Sequence, residues 1–166
     1  MDGFSFVRYV PDDTQLLLRE VPDEISLGIS ISQCPYRCKG CHSEYLQGDV
    51  GEVLTEEVLS ATIKRHSGIT CVCFLGGDGN RDAMCRMFAF VKENFKLKVA
   101  WYSGDSSVHD ETLAFIDYIK VGPYVEALGP IDNPATNQKF FRVIHSEDGV
   151  SLSDETFRFW KNDLLR

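Results

Sequence analysis

Between Ile25 and Ile31 apolar and small residues alternate strictly, with Ile25, Leu27, Ile29 and Ile31 in one register and Ser26, Gly28 and Ser30 in the other. A period of two puts the two sets on opposite faces of a strand, so a strand with one apolar face and one face of small residues is expected. From Thr55 to His66 the period changes: Val58, Leu59, Thr62 and Ile63 follow helical spacing. Thr55 is suited to cap that helix, and Glu56 and Glu57 suit the positive end of its dipole. The β-branched and aromatic run Ile69 to Leu75, closed by Gly76 and Gly77, predicts a second strand. A helix should follow, with Met84, Met87, Phe88, Val91 and Phe95 as its apolar stripe, and then a third strand over Leu97 to Trp101, stopped near Gly104.

The pattern recurs once more as a short helix around Glu111 to Phe115 and a strand from Ile116 to Val121, closed by Gly122 and Pro123. Strands alternating with helices favour a parallel sheet, because parallel neighbours need long crossovers and the helices must bury their apolar faces on the sheet. The class is α/β. Gly122 to Lys139, rich in Gly, Pro and Asn, is expected to be a long binding loop. Phe140 to Ile144 is a candidate further strand, and Asp154 to Leu165 a terminal helix. The unusual residues all follow strand ends: the Cys34 cluster after the first, Gly76-Gly77-Asp78 after the second, Tyr102-Ser103-Gly104 after the third, Lys120 at the end of the fourth. In parallel sheets those ends share the edge where ligands bind.

The length of 166 residues fits one domain, taken here as residues 1–166. With 43% hydrophobic and 25% charged residues, the chain should fold without a long disordered tract. Lys+Arg 17 against Asp+Glu 25 gives a net charge of -8, which argues against nucleic acid or anionic lipid as a partner. Met1 to Val10 carries Asp2 and Arg8 where a signal peptide has an apolar core, and no apolar run is long enough to span a bilayer. A cytoplasmic protein is expected, in which cysteines serve as metal ligands, reactive thiols or core residues more readily than as disulfides.

Cys34, Cys38 and Cys41 lie within eight residues, close enough for one loop to aim them at a common point. Three thiolates suit an iron-sulfur cluster with one iron left for an outside ligand, whereas a closed zinc site needs a fourth protein ligand. His42, Cys71, Cys73 and Cys85 are the candidates for such a fourth ligand. Cys71 and Cys73, two apart on a core strand, and Cys85, on a helix flank, also suit plain packing. Gly76 and Gly77 would let a ligand approach backbone carbonyls, with Asp78 as a further acceptor, although a simple strand-end turn accounts for the same residues.

These residues together resemble a known family. Cys34-x3-Cys38-x2-Cys41 after a first strand, with Gly76-Gly77-Asp78 after a second, resembles the radical S-adenosylmethionine enzymes. Cys-Lys-Gly-Cys-His-Ser (38–43), Phe-Leu-Gly-Gly-Asp (74–78), Trp-Tyr-Ser-Gly (101–104), Asp-Tyr-Ile-Lys-Val-Gly-Pro-Tyr (117–124) and Thr-Asn-Gln (136–138) are similar to the activating proteins of anaerobic ribonucleoside-triphosphate reductases. The resemblance implies a shortened, open TIM-like β/α barrel with a mostly parallel sheet. It implies a 4Fe-4S cluster on Cys34, Cys38 and Cys41, and S-adenosylmethionine as the second cofactor, held by Gly76, Gly77 and Asp78, with Ser103, Lys120 and Asn137 as further contacts.

The implied activity is reductive cleavage of S-adenosylmethionine to a 5'-deoxyadenosyl radical, which places a glycyl radical on the large subunit of the reductase. An electron donor such as a flavodoxin or ferredoxin completes the implied partners. Asp78 stands where the superfamily more often has Glu, Gly40 where many members carry an aromatic residue, and Arg19-Glu20-Val21-Pro22-Asp23 where many activases have a Gly-Pro-Gly-like segment. Three other readings stay open: an activase of another glycyl-radical enzyme, a small-molecule radical enzyme, and a non-catalytic zinc-binding module.

Overall fold

The alternating signals around the cysteine loop form the centre of a seven-stranded sheet. The computed structural model describes residues 6–160. In chain order the strands are β1 (Val7–Tyr9), β2 (Gln15–Leu17), β3 (Ser26–Ser30), β4 (Glu52–Leu54), β5 (Cys71–Leu75), β6 (Lys98–Tyr102), β7 (Tyr118–Val121), β8 (Lys139–Ser146) and β9 (Gly149–Asp154). The helices are α1 (Glu56–Lys64) and α2 (Arg81–Asn94). The sheet runs β2-β3-β5-β6-β7-β8-β9, and β1 pairs with β4 in a small separate sheet.

The expected parallel sheet is present in β3, β5, β6 and β7. Strand β2 on one side and β8 and β9 on the other are antiparallel, so the sheet is mixed and mostly parallel only at its centre. It is open, with β2 and β9 as its two edges. Thr55 caps α1 as the sequence indicates, accepting from Val58 N at 3.1 Å, and Asn80 caps α2 by accepting from Ala83 N. The third helical segment is a 3-10 turn over Asp110–Phe115, too short to complete two turns of α-helix.

Three expectations are corrected. Ile25 precedes β3 and is 42% exposed, so the strand begins one residue later than the alternation suggests. The terminal helix expected over Asp154 to Leu165 gives way, within the described residues, to the end of β9 and a 3-10 turn, Thr156–Phe159; positions 161–166 lie outside the described residues. The cause lies in β8. Phe140 N donates to Thr156 Oγ1 at 2.9 Å, and the Phe159 ring packs edge-on against Phe140 at 4.9 Å, holding the segment beside the strand. Lastly, β1, β2 and β4 have no counterpart in the expected pattern.

The two faces of the sheet are buried differently. Leu27, Ile29, Val72, Phe74, Val99 and Trp101 pack beneath α1 and α2 in the main core, joined by Val7, Tyr9 and Leu54 from the small sheet. Phe88 of α2 stands at its centre, with ring centroids 5.4 Å from both Phe74 and Trp101. Among the described residues the other face carries no α-helix. There Leu17, Val21, Cys71, Cys73, Ala100, Tyr118 and Phe140 form a second cluster of smaller residues. Gly28 belongs to this face, and a Cβ on it would lie 2.5 Å from Leu17 Cδ1, so the β2 side chain is seated where residue 28 has none.

The N-terminal ends of the parallel strands are tied by Glu24, which is 7% exposed. Its Oε2 accepts from Lys98 Nζ and from Tyr118 Oη, each at 2.8 Å. Burial alone would raise the Glu24 carboxyl; hydrogen bonds from Lys98, Thr70 and Tyr118 more than offset it, and the group lies below its ordinary value. Tyr118, buried beside this carboxylate, is pushed up to about 12.

Two outcomes are expected. Phe88→Ala should destabilise the chain by about 3–5 kcal/mol in urea titration; a loss under about 1 kcal/mol would contradict the core described here. A lowered folded pKa means that the Glu24 latch contributes stability above the free carboxyl range and loses it as pH falls through the folded value. Glu24→Gln should therefore be less stable than the parent at neutral pH, with the gap closing below about pH 4, measured as urea midpoints across pH. A gap that does not change with pH would contradict the assignment.

Candidate iron-sulfur site

Pairing register aligns Ser30, Leu75, Tyr102 and Lys120 in one row across β3, β5, β6 and β7. The row ends β3, β5 and β6 and lies one residue before the end of β7. The loops that follow enclose a cavity of about 240 Å³, whose wall includes Cys34, Cys38, Cys41, Gly76, Asp78, Ser103 and Lys120. Residues separated by up to 86 positions in the chain thus meet, as the strand-end pattern predicts.

The cysteine loop is closed at its base by backbone. Gln33 N donates to Gly48 O at 3.0 Å and Cys34 N to Leu46 O at 2.9 Å, while Ser32 Oγ donates to Val50 O. Inside the loop Cys41 N donates to Cys38 O, and Arg37 Nη1 donates to Cys34 O at 2.8 Å and to Tyr36 O at 3.3 Å. All three thiols are free and partly exposed. Ser43 N donates to Cys41 Sγ at 3.4 Å, and a Tyr36 backbone hydrogen bond is directed at Cys34. Burial pushes the Cys34 thiol up, partly countered by that Tyr36 bond; Asp78 and the other two cysteines push the same way as burial.

Asp78 begins a 3-10 turn after β5 and braces the neighbouring strand end. Its Oδ1 accepts from Ser103 Oγ at 2.5 Å and its Oδ2 from Gly104 N at 2.9 Å. Ser103 is 2% exposed and also accepts from Asp105 N. Gly76 and Gly77 both adopt left-handed φ, +99° and +108°. Gly76 O accepts from Trp101 Nε1 at 2.7 Å, tying the turn to β6. Gly77 does not line the cysteine cavity. It faces a neighbouring cleft with Asn80, and a Cβ there would lie 2.5 Å from Met84 Sδ.

Lys120 is the cation on the cavity wall. Its ammonium lies 5.6 Å from the centre of the Tyr102 ring and donates to Gly122 O at 3.1 Å. Burial pulls it down to about 8, against the opposing pull of Asp78 and the three cysteines. Asn137 stands apart from the cavity: its Nδ2 donates to Pro123 O at 3.0 Å, and its Oδ1 is buried without a partner among the described residues. Its neighbour Gln138, 6% exposed, lines the cavity instead and donates to Gly122 O.

Tyr36, Tyr102 and Tyr124 also line the cavity; sequence reasoning placed Tyr102 on the strand-end edge but assigned none of the three a role in binding. The signal for Tyr36 was Gly104, since a Cβ on that glycine would lie 2.7 Å from the Tyr36 ring.

The donor set fits an iron-sulfur cluster. Three thiols share one wall, and N–H groups directed at cluster sulfurs are a usual means of setting potential. Among the described residues no group of three or more His, Cys, Asp or Glu, these three cysteines included, stands arranged as a ready metal site, so the fit to a cluster is one of donor type and shared wall. Of the fourth-ligand candidates, Cys71 and Cys73 are fully buried in β5 and Cys85 lies against Glu111 O, away from the cavity, while His42, next to Cys41, does not line the cavity and has its ring 5.9 Å from that of Tyr124. Burial pushes Cys71 up to about 12 and Cys73 upward as well, as suits thiols that only pack.

Replacing Cys34, Cys38 or Cys41 by Ala should therefore reduce iron after anaerobic reconstitution from about four per chain to a small fraction. Cys73→Ala should keep the iron and lose about 1–3 kcal/mol of stability; iron loss in Cys73→Ala would reopen the ligand set. No helix among the described residues is long and apolar enough to cross a membrane. No curated protein and no solved structure matches the chain. The sequence model of the 4Fe-4S single cluster domain family matches residues 25–136, about two thirds of the chain, from the residue before β3 through the loop after β7. That stretch contains all three cavity cysteines and every strand that brings them to Asp78 and Lys120, and the chain belongs to the 4Fe-4S single cluster domain family.

Proposed function

We propose that the chain is a radical S-adenosylmethionine activase that generates the glycyl radical of an anaerobic ribonucleoside-triphosphate reductase. The observation that supports this most is the meeting of three free thiols and one half-buried ammonium on a single cavity at the C-terminal ends of parallel strands. Cys34, Cys38 and Cys41 would hold the cluster, leaving an iron with no protein ligand. The chemistry supplied when both groups are bound is one-electron cleavage of the sulfonium to methionine and a 5'-deoxyadenosyl radical, which takes hydrogen from a glycine Cα of the reductase.

The chain's own residues bind and orient. Lys120 uses one N–H on Gly122 O, and the remaining donors suit the methionine carboxylate. Asp78, bonded through each oxygen to the end of β6, keeps Ser103 and Gly104 in place at the wall and acts as a brace more than as a reaching carboxylate. Gly77 gives the turn its shape against Met84, and Asn137 holds Pro123, so both act behind the wall. Ile31, Leu46 and Leu75 make part of the wall apolar, which excludes water from a reactive radical. The in-order parallel strands β3, β5, β6 and β7 suit an incomplete TIM-like β/α barrel. The single electron would come from a donor such as a flavodoxin or ferredoxin, in the cytoplasm.

The reconstituted protein, given dithionite and S-adenosylmethionine under anaerobic conditions, should form 5'-deoxyadenosine and methionine. With the reductase added, a glycyl radical should appear by electron paramagnetic resonance. Cleavage without that signal would redirect the activity to another glycyl-radical enzyme or to a small substrate. Stoichiometric zinc with no chromophore would leave a zinc-binding module.

A further inference from the structure

We infer that Tyr124 is the wall on which the planar ring of the cavity's ligand packs; on the function proposed above, upon which this inference rests, that ring is the adenine of S-adenosylmethionine. The cysteine loop passes Gly40 in a left-handed conformation, φ +78°. A Cβ on Gly40 would lie 2.8 Å from Glu126 Oε2 and 3.3 Å from Tyr124 Cε1. The space a side chain beside Cys41 would take is therefore filled from the loop after β7 by Glu126 and Tyr124 together, and of the two Tyr124 lines the same cavity as the three thiols.

Tyr124 is held there by several independent contacts. Gly122 N donates to Asp105 O at 2.7 Å, Asn137 Nδ2 to Pro123 O at 3.0 Å, and the His42 ring lies 5.9 Å from the Tyr124 ring at an angle of 59°. The loop is thus anchored on the loop that follows β6, on the segment just before β8 and on the cysteine loop.

The other two aromatic rings of the cavity are already engaged. Lys120 sits over Tyr102, whose hydroxyl is tied to Glu20 O. Tyr36 rests on Gly104, beside the Asp78 brace. A ligand whose carboxylate meets Lys120 and whose sulfonium lies near the thiols has its heterocycle left to place. An aromatic face takes any planar base without needing its hydrogen-bonding pattern.

The test uses the full chain, reconstituted anaerobically, with S-adenosylmethionine and methionine titrated separately by calorimetry. Tyr124→Leu and Tyr124→Ala should weaken S-adenosylmethionine about fivefold to a hundredfold while leaving methionine unchanged within about twofold; Tyr124→Phe should match the parent. Iron content and urea midpoint establish that each variant is folded and loaded, and Leu keeps bulk in the loop should Ala collapse it. Unchanged S-adenosylmethionine affinity in a folded Tyr124→Leu protein overturns the inference and leaves the proposed function standing. So does equal loss of both ligands, or a selective loss that appears in Tyr36→Leu instead. A parent that carries its cluster but binds no S-adenosylmethionine overturns the proposed function, and this inference with it.

Discussion

The register of the four parallel strands is the constraint on which the rest depends. Because Ser30, Leu75, Tyr102 and Lys120 fall in one row, the chain leaves every central strand at the same level. A slip of one residue in β5, β6 or β7 would turn Leu75, Tyr102 or Lys120 to the helix-covered face and remove it from the cavity. The Glu24 latch at one end and the Asp78 brace at the other are both cross-strand devices that hold this level: Glu24 joins the start of β3 to β6 and β7, and Asp78 joins the end of β5 to that of β6.

That constraint also explains the contrast between the faces. Under α1 and α2 the sheet carries large side chains such as Phe74 and Trp101, which fill the distance to a helix. On the opposite face Ser26, Gly28, Cys71, Cys73 and Ala100 are small, and what covers them is close at hand: Leu17 from the adjacent strand and aromatic rings from β7, β8 and the turn after β9. The two buried cysteines belong to this economy of volume and lie away from the cavity that the other three line.

Much of this was legible in the sequence, because the central elements announce themselves locally. The alternation of Ile25 to Ile31, the cap and stripe of α1, and the stripe of α2 each arise from one segment's own burial. The β1, β2 and β4 strands were not legible: three residues carry no period, and β1 meets a partner 45 positions away. The β8–β9 hairpin was missed for a different reason. Its turn is Glu147-Asp148 followed by Gly149 with φ +121°, an Asp-Gly signal that favours a hairpin, but the sequence reading ended the strand at Ile144 and gave Asp154 to Leu165 to a terminal helix. At the site, the three cysteines, Gly76, Asp78, Ser103 and Lys120 could be read from type and spacing. Gly77 and Asn137 act one step back from the cavity, and Tyr36, Tyr124 and Gln138 look like ordinary loop residues until the strands bring them together.

The hydrogen bonds that close the base of the cysteine loop, Gln33 to Gly48, Cys34 to Leu46 and Ser32 to Val50, involve no sulfur. The loop's anchorage is thus separate from whatever its thiols carry. Clusters of this kind are destroyed by air, and a chain that needed its iron in order to fold would be lost with it, as zinc fingers are lost to chelators. Here the hydrogen bonds that shape the base of the loop are made without sulfur, so the loop's frame does not wait on a metal to form.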